Sequence, residues 1–281
     1  MQAQSMSSVP GESADEATLL EGMVAAALSA GTEVMAIYGR DFSVDAKDDA
    51  SPVTEADRRA EIIILAALAR IAPGIPVVAE EACCGGVIPD VVSRFFLVDP
   101  VDGTREFVSR NGEFTVNIAL IEAGVPIAGV VYAPARDILF AGRLGAGAEE
   151  MRIEAGRIAE RRAVAVAQPA APLRIVASRS HRTSQTDAFI ERYPGASIVP
   201  AGSSLKFCLI ASGRADLYPR FGPTMQWDTA AGDAVLRAAG GMVTTPEGEP
   251  LVYGPKSGVG LDTYRNPSFI AGGRLDIRKD D

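Results

Sequence analysis

Histidine is the scarcest chemically useful side chain in this sequence, with one copy, His181, in 281 residues. That scarcity removes His-rich metal sites and most imidazole acid–base schemes, His-based triads included, and leaves the chemistry to carboxylates, hydroxyls, Lys and Arg. Cysteine is nearly as sparse. The three copies include the adjacent Cys83-Cys84 and show no C-x-x-C spacing, so neither a disulfide framework nor a zinc site is expected. The thiols read as reduced, with redox sensing by the adjacent pair a minor alternative. Positive charge is also short, since 27 Lys and Arg against 36 Asp and Glu give a net charge of −9 and an isoelectric point near 4.8. A surface of that sign repels nucleic acid and anionic lipid over most of its area. No basic stripe with interleaved aromatics offsets it, which argues against a nucleic-acid-binding module, and an anionic substrate would need cations gathered locally. Uninterrupted apolar runs are missing as well. None reaches the roughly 18 residues of a membrane span, and the opening MQAQSMSSVPGESADEATLL is acidic rather than basic-then-apolar. These absences predict a protein of the cytoplasm without integral membrane contact.

What is present is ample core material. Hydrophobic residues make up 47% of the chain, enough for one large domain or two closely packed halves. Residues 1–14 are small and polar and are expected to form a disordered tail. A first α+β half is expected over 15–167. It opens with a helical apolar stripe (Leu20, Met23, Val24, Ala27, Leu28, Val34, Met35, Tyr38), crosses a polar turn, VDAKDDAS, and enters a second helix at Thr54-Glu55-Ala56-Asp57, a capping-box spacing. The short strand Pro76-Val77-Val78-Ala79 delivers Glu80-Glu81, a strand Arg94–Val98 follows, and Phe114–Phe140 alternates as an antiparallel meander. The character changes near Gln168-Pro169. Over 168–281 the short strands Leu173–Ala177, Ser197–Pro200 and Ala215–Tyr218 alternate with helical stretches Ser184–Arg192, Ser204–Gly213 and Thr229–Ala239, which make a second α/β layer.

The sharpest local signal is LVDPVDGTREF, residues 97–107. Two aspartates three apart follow the apolar run Phe95-Phe96-Leu97-Val98 and lead directly into Gly103-Thr104. A buried carboxylate without a partner costs several kcal/mol, so such a pair demands strong donors or a cation. Singly, Asp-Pro and Asp-Gly are turn dipeptides, Asp57 is a helix-start acid, and Asp228 in MQWDTAAGDAVL is a helix N-cap. As a set, Asp57, Glu80, Asp99, Asp102 and Asp228 all stand at element ends. Five converging carboxylates with no imidazole or thiolate form a hard-oxygen group suited to Mg²⁺ rather than zinc. Gly103 permits close backbone approach, and Gly103-Thr104 entering a helix would aim N–H groups at an anion. The cluster therefore reads as a metal site beside a phosphate site.

The segments VTEAD (53–57), EE (80–81), DPVDGT (99–104), GEFTVNIALIEAGVPIAGVVYAP (112–134) and WDTAAG (227–232) resemble the inositol monophosphatase superfamily of Mg²⁺-dependent, lithium-sensitive phosphatases. The resemblance covers nearly the whole chain from about residue 17. Within it, GSSLKFCLIASGRADLYPRFGPTMQWDTAAG (202–232) resembles the 3'(2'),5'-bisphosphate nucleotidase branch, the CysQ-like enzymes. The resemblance implies an α+β fold, a layered αβαβα sandwich of the inositol monophosphatase/fructose-1,6-bisphosphatase type. It implies that Glu80, Asp99, the carbonyl of Val101, Asp102 and Asp228 hold two or three Mg²⁺ ions, with Mn²⁺ a substitute and Li⁺ an inhibitor. Gly103 and Thr104 would cradle the phosphate, and Asp57 would accept a hydrogen bond from Thr104, whose hydroxyl orients the attacking water.

Substrate contacts are implied for His181, Ser203, Lys206, Arg220 and Asp228. Arg220 stands where the inositol-phosphate enzymes carry a glutamate, and a guanidinium offers a planar fork to a second phosphate. Read without the resemblance, Lys206 is a snorkelling helix residue, Arg220 a surface ion pair and Ser203 a helix cap. The implied reaction is hydrolysis of adenosine 3',5'-bisphosphate to AMP and phosphate, with its 5'-phosphosulfate analogue as a further substrate, a role within sulfur metabolism. The alternatives are an inositol-1-phosphate or fructose-1,6-bisphosphate phosphatase and, outside enzymes, an inactive phosphonucleotide-binding sensor. A small-molecule substrate, a monomer or homodimer, and a cytoplasmic setting or a peripheral one at the inner face of the cell membrane complete the expectation.

Overall fold

Apolar runs such as Phe95-Phe96-Leu97-Val98 arise where a strand is covered on both faces. The computed structural model, which describes residues 12–46, 52–177 and 183–274, has that arrangement. Helix α1 (Glu12–Tyr38) leads through a two-stranded hairpin, β1 (Val44–Ala46) and β2 (Pro52–Thr54), into α2 (Glu55–Ile71). Then come β3 (Val77–Ala79), α3 (Glu80–Cys84), β4 (Arg94–Asp102), α4 (Thr104–Val108), β5 (Thr115–Glu122), β6 (Val125–Ala133), β7 (Ile138–Arg143), β8 (Gly147–Glu154) and β9 (Arg157–Val164). The second half contributes β10 (Arg174–Ala177), α5 (Ser184–Glu191), β11 (Ser197–Pro200), α6 (Leu205–Ala211), β12 (Leu217–Arg220), α7 (Ala230–Ala238), β13 (Met242–Thr244) and β14 (Phe269–Gly272).

A seven-stranded sheet runs in the order β3-β4-β5-β6-β7-β8-β9, and a five-stranded one in the order β11-β10-β12-β14-β13. Helices α1 and α2 pack on one face of the large sheet. Helices α6 and α7 lie against its other face and against the small sheet, and α5 covers the small sheet's far side. The result is the expected α+β sandwich of αβαβα layers. Alternation along β4 shows how one strand serves two cores. Phe95 and Leu97 enter the middle layer with Phe207, Trp227 and Val235, whereas Phe96 and Val98 enter the outer layer with Met23, Ile64 and Leu68. Each such side chain, fully buried, contributes about 1.5–3 kcal/mol.

Three features depart from the sequence expectations. Helix α1 begins at Glu12, inside the stretch expected to be a tail, and residues 1–11 lie outside the described residues. Over Glu16–Tyr38 this helix is long and apolar enough to cross a bilayer, although no uninterrupted run is. Its Met23, Ala27, Ala30, Val34 and Ile37 are nevertheless fully buried in the outer core. Strands β8 and β9 extend the meander well past Phe140. They escaped notice because β9, RIAERRAV, is an exposed edge strand with almost no apolar period.

Helix α7 seats directly on the large sheet because glycine leaves room. At Gly129 of β6 an added Cβ would lie 2.5 Å from the carbonyl oxygen of Ala231 and 2.7 Å from Cβ of Ala234. Overpacking of this kind costs about 1–3 kcal/mol. Gly129→Ala should therefore lower the midpoint of a circular dichroism melt by several degrees, and an unchanged melt would mean that the helix does not rest on the sheet at this point.

Candidate active site

On a regular strand, residues three apart face opposite sides, so Asp99 and Asp102 could not share one cavity. The register resolves this. Asp99 pairs with Asn117 and Asp102 with Thr115, so three steps along β4 answer two along β5. The extra residue makes a bulge at Pro100-Val101 that turns both carboxylates to the same side. Proline, with no N–H to give, sits where the ladder is interrupted. The N–H of Val101 donates to Oδ1 of Asp99 at 3.0 Å. Strand β3 runs parallel to β4 with Ala79 opposite Val98, which brings Glu80 in beside Asp99. Asp228 arrives from the second half on a tight turn before α7, where its Oδ2 accepts the N–H of Met225 at 2.8 Å.

Glu80, Asp99, Val101, Asp102 and Asp228 line one cavity of about 830 Å³ together with Gly103, Thr104, Ser203, Lys206 and Arg220. Gly103 has φ 89°, and a Cβ there would meet Oε2 of Glu106 and the carbonyl oxygen of Glu113 at 3.3 Å, so the position needs glycine. Asp57 does not join the cavity wall. It is fully buried behind it, its Oδ2 accepting the backbone N–H (2.8 Å) and hydroxyl (2.7 Å) of Thr54, which completes the capping box. Its Oδ1 accepts from the hydroxyl of Thr104 at 3.2 Å, and that hydroxyl also lies 3.3 Å from the carbonyl oxygen of Val101.

Asp102 is held by the second half. Its Oδ2 accepts from the hydroxyl of Ser203 (2.6 Å), the N–H of Ser204 (2.7 Å) and the hydroxyl of Ser204 (3.0 Å). The Ser204 hydroxyl also lies 2.7 Å from the carbonyl oxygen of Asp228, so one serine touches both acids. Ser203, with φ 53°, is in the left-handed region, and its hydroxyl is engaged by Asp102 and Thr115 rather than turned to the open cavity. Asn117, fully buried, donates to the Ser204 hydroxyl at 3.0 Å. Sequence reading passed over Thr115 and Asn117, although an amide inside the apolar run FTVNIALI was the available signal.

Burial, and then the charges of Glu80, Asp102 and Asp228, hold the Asp99 carboxyl well above the usual carboxylate range. Asp228 is raised by burial and then by Asp102 and Glu80. A divalent cation would remove the mutual repulsion, and the donors are all hard oxygens, so the residues fit Mg²⁺. Among the described residues no three acidic side chains stand close enough to enclose one ion by themselves. Mg²⁺ retains waters and is commonly held by one or two carboxylates per ion.

The cavity also carries its own cations. Lys206 is buried with Nζ 5.3 Å from the centre of the Tyr218 ring, and burial lowers its pKa to about 8. Arg220 at the end of β12 is only 8% exposed. Its Nη2 donates to the carbonyl oxygen of Pro223 at 3.0 Å, whereas its buried Nε has no hydrogen-bond partner among the described residues. Neither side chain is the surface residue that its local sequence suggested. His181 lies outside the described residues.

The family model described as the inositol monophosphatase family matches residues 15–274. The chain is 43% identical over 253 residues to the 3'(2'),5'-bisphosphate nucleotidase CysQ of Shigella flexneri, covering 89% of this chain and 98% of that protein. Among solved structures it is similar to CysQ from Bacteroides thetaiotaomicron, at 36% identity and a TM-score of 0.75, covering 92% of this chain and 98% of that one. It is also similar to the inositol monophosphatase from Anabaena (Nostoc) sp. PCC 7120, at 26% identity and a TM-score of 0.71, over 95% of each chain. By matched length and by identity, the chain belongs to the inositol monophosphatase family.

Proposed function

We propose that this protein is a Mg²⁺-dependent 3'(2'),5'-bisphosphate nucleotidase that hydrolyses adenosine 3',5'-bisphosphate to AMP and phosphate, and acts also on the 5'-phosphosulfate analogue. The carrying observation is that two buried cations, Arg220 and Lys206, line the same cavity as the acidic cluster. Cations withdrawn from water in this way favour a ligand that brings compensating negative charge. A phosphate distant from the scissile one does so. Lys206 supplies a second cation in the same cavity.

Glu80, Asp99, the Val101 carbonyl, Asp102 and Asp228 would hold the ions. Bound there, Mg²⁺ would act as a Lewis acid on phosphoryl oxygens and lower the pKa of water. Gly103, lacking a side chain, admits the scissile phosphate to the backbone beside Thr104. The Thr104 hydroxyl directs its proton at Asp57, which leaves its lone pairs to accept from a water and orient that water toward phosphorus. Asp57 cannot swing away, because Thr54 holds its other oxygen twice. The water oxygen bonds to phosphorus as the bond from phosphorus to the 3' oxygen breaks, the proton given up by the water is matched by one taken from solvent by the departing 3' oxygen, and no phospho-enzyme forms. In this reading the first half supplies the metal chemistry and the second half selects the substrate. His181 is assigned to the nucleotide by family resemblance.

The test is phosphate release from adenosine 3',5'-bisphosphate, inositol 1-phosphate and fructose 1,6-bisphosphate at equal enzyme concentration. The nucleotide should be preferred by about 100-fold or more in kcat/KM, a difference of the size expected for an added charged contact. Chelation should abolish turnover, Mg²⁺ or Mn²⁺ should restore it, and Li⁺ should inhibit it. Preference for inositol 1-phosphate would overturn the substrate assignment. Tight nucleotide binding without phosphate release in saturating Mg²⁺ would make the protein a sensor.

A further inference from the structure

Glu61 is a buried acid of α2 that lies outside the cavity lining. Its two oxygens divide between consecutive backbone donors, Oε2 accepting the N–H of Glu81 and Oε1 that of Ala82, each at 2.8 Å. These are the second and third residues of α3, whose first residue is Glu80. The first N–H groups of a helix have no partner within it. Ala79, at the N-cap of α3, has no side-chain oxygen to satisfy them and makes no side-chain cap bond. A carboxylate from a neighbouring helix therefore does the capping, with charge-assisted bonds at the positive end of the turn.

A helix of five residues cannot fix its own direction. Its orientation, and with it the line along which Glu80 leaves β3, is set at one end by the parallel pairing of Ala79 with Val98. Immediately after Glu80 it is set by Glu61, which holds the next two N–H groups. We propose that Glu61 is a positioning residue for Glu80, aiming that carboxylate at the cation through α3 while touching neither substrate nor metal. The proposal rests on the metal-dependent reading given above.

Glutamine at position 61 is nearly isosteric, but it has one acceptor and would set its NH₂ against an N–H donor. Manganese binding to the full-length, substrate-free protein, followed by electron paramagnetic resonance of free Mn²⁺, separates positioning from mere support of the fold. Glu61→Gln should weaken Mn²⁺ binding about 10- to 100-fold, the range typical of groups that orient a metal ligand. The KM for adenosine 3',5'-bisphosphate at saturating metal should stay within about twofold, since the substrate cations are untouched. In a Glu80→Gln background the same substitution should produce no further loss. Wild-type Mn²⁺ affinity in Glu61→Gln, or an equal additional loss in the Glu80→Gln background, would overturn the proposal and leave the metal-dependent reading intact. Failure of the unsubstituted protein to bind Mn²⁺ would overturn both. Glu61→Asp keeps two acceptors on a shorter stem and provides the same comparison if the glutamine variant does not fold.

Discussion

Asp102→Asn should lower kcat by about three orders of magnitude while shifting the thermal midpoint by only a few degrees. The separation follows from how the two oxygens are used. Oδ2 is the acceptor for Ser203 and for the N–H and hydroxyl of Ser204. Asparagine keeps an oxygen there, because the opposite rotamer would set its NH₂ against the Ser204 N–H. The amide nitrogen then replaces Oδ1, where it has neither the charge nor the lone pair to bind a hard cation. Steady-state rates across a Mg²⁺ titration, paired with a melt of the same preparation, provide the measurement. Near-normal turnover with an unmoved Mg²⁺ half-saturation would show that Asp102 binds no metal.

Arg220→Ala should reduce kcat/KM for adenosine 3',5'-bisphosphate by about 100-fold and that for a simple phosphate monoester by no more than about threefold. The guanidinium is buried, and among the described residues its one hydrogen bond goes to the Pro223 carbonyl. Alanine would therefore remove the proposed contact to the second phosphate while breaking no ion pair among the described residues. Arg220→Lys should recover only part of the loss, since an ammonium lacks the planar fork. Equal losses on both substrates would assign Arg220 to the architecture of β12 instead of to the second phosphate.

Much of the fold could be read from local pattern. The capping box at Thr54 and Asp57, the buried run of β4 and the strand-helix alternation after residue 168 all appear where the periodicity placed them. Period-based reading failed where pattern is weak or misleading. The edge strand β9 is charged along its length, and the expected convergence of Asp99 and Asp102 depends on a bulge that no local period announces. Glu61 carries no local signal, because an acid inside a helix is ordinary until the N–H groups of Glu81 and Ala82 are seen to meet it.

Composition alone narrowed the chemistry to carboxylates, hydroxyls, lysine and arginine, with one histidine in the chain, and family resemblance pointed to particular residues among them. The apolar run of β4 also pointed to a strand covered on both faces, whereas the need for glycine at 103 shows only in its φ of 89° and its neighbours Glu106 and Glu113. Chain folding over long range decided the rest, because Asp102 and Ser203 are 101 positions apart and meet at 2.6 Å only when α6 and α7 close onto the large sheet. Short-range preferences act over a turn or a strand, whereas the direction of a buried carboxylate depends on which distant donor reaches it first. For that reason the Ser203 hydroxyl points to Asp102, and Asp57 stands one residue behind the cavity wall.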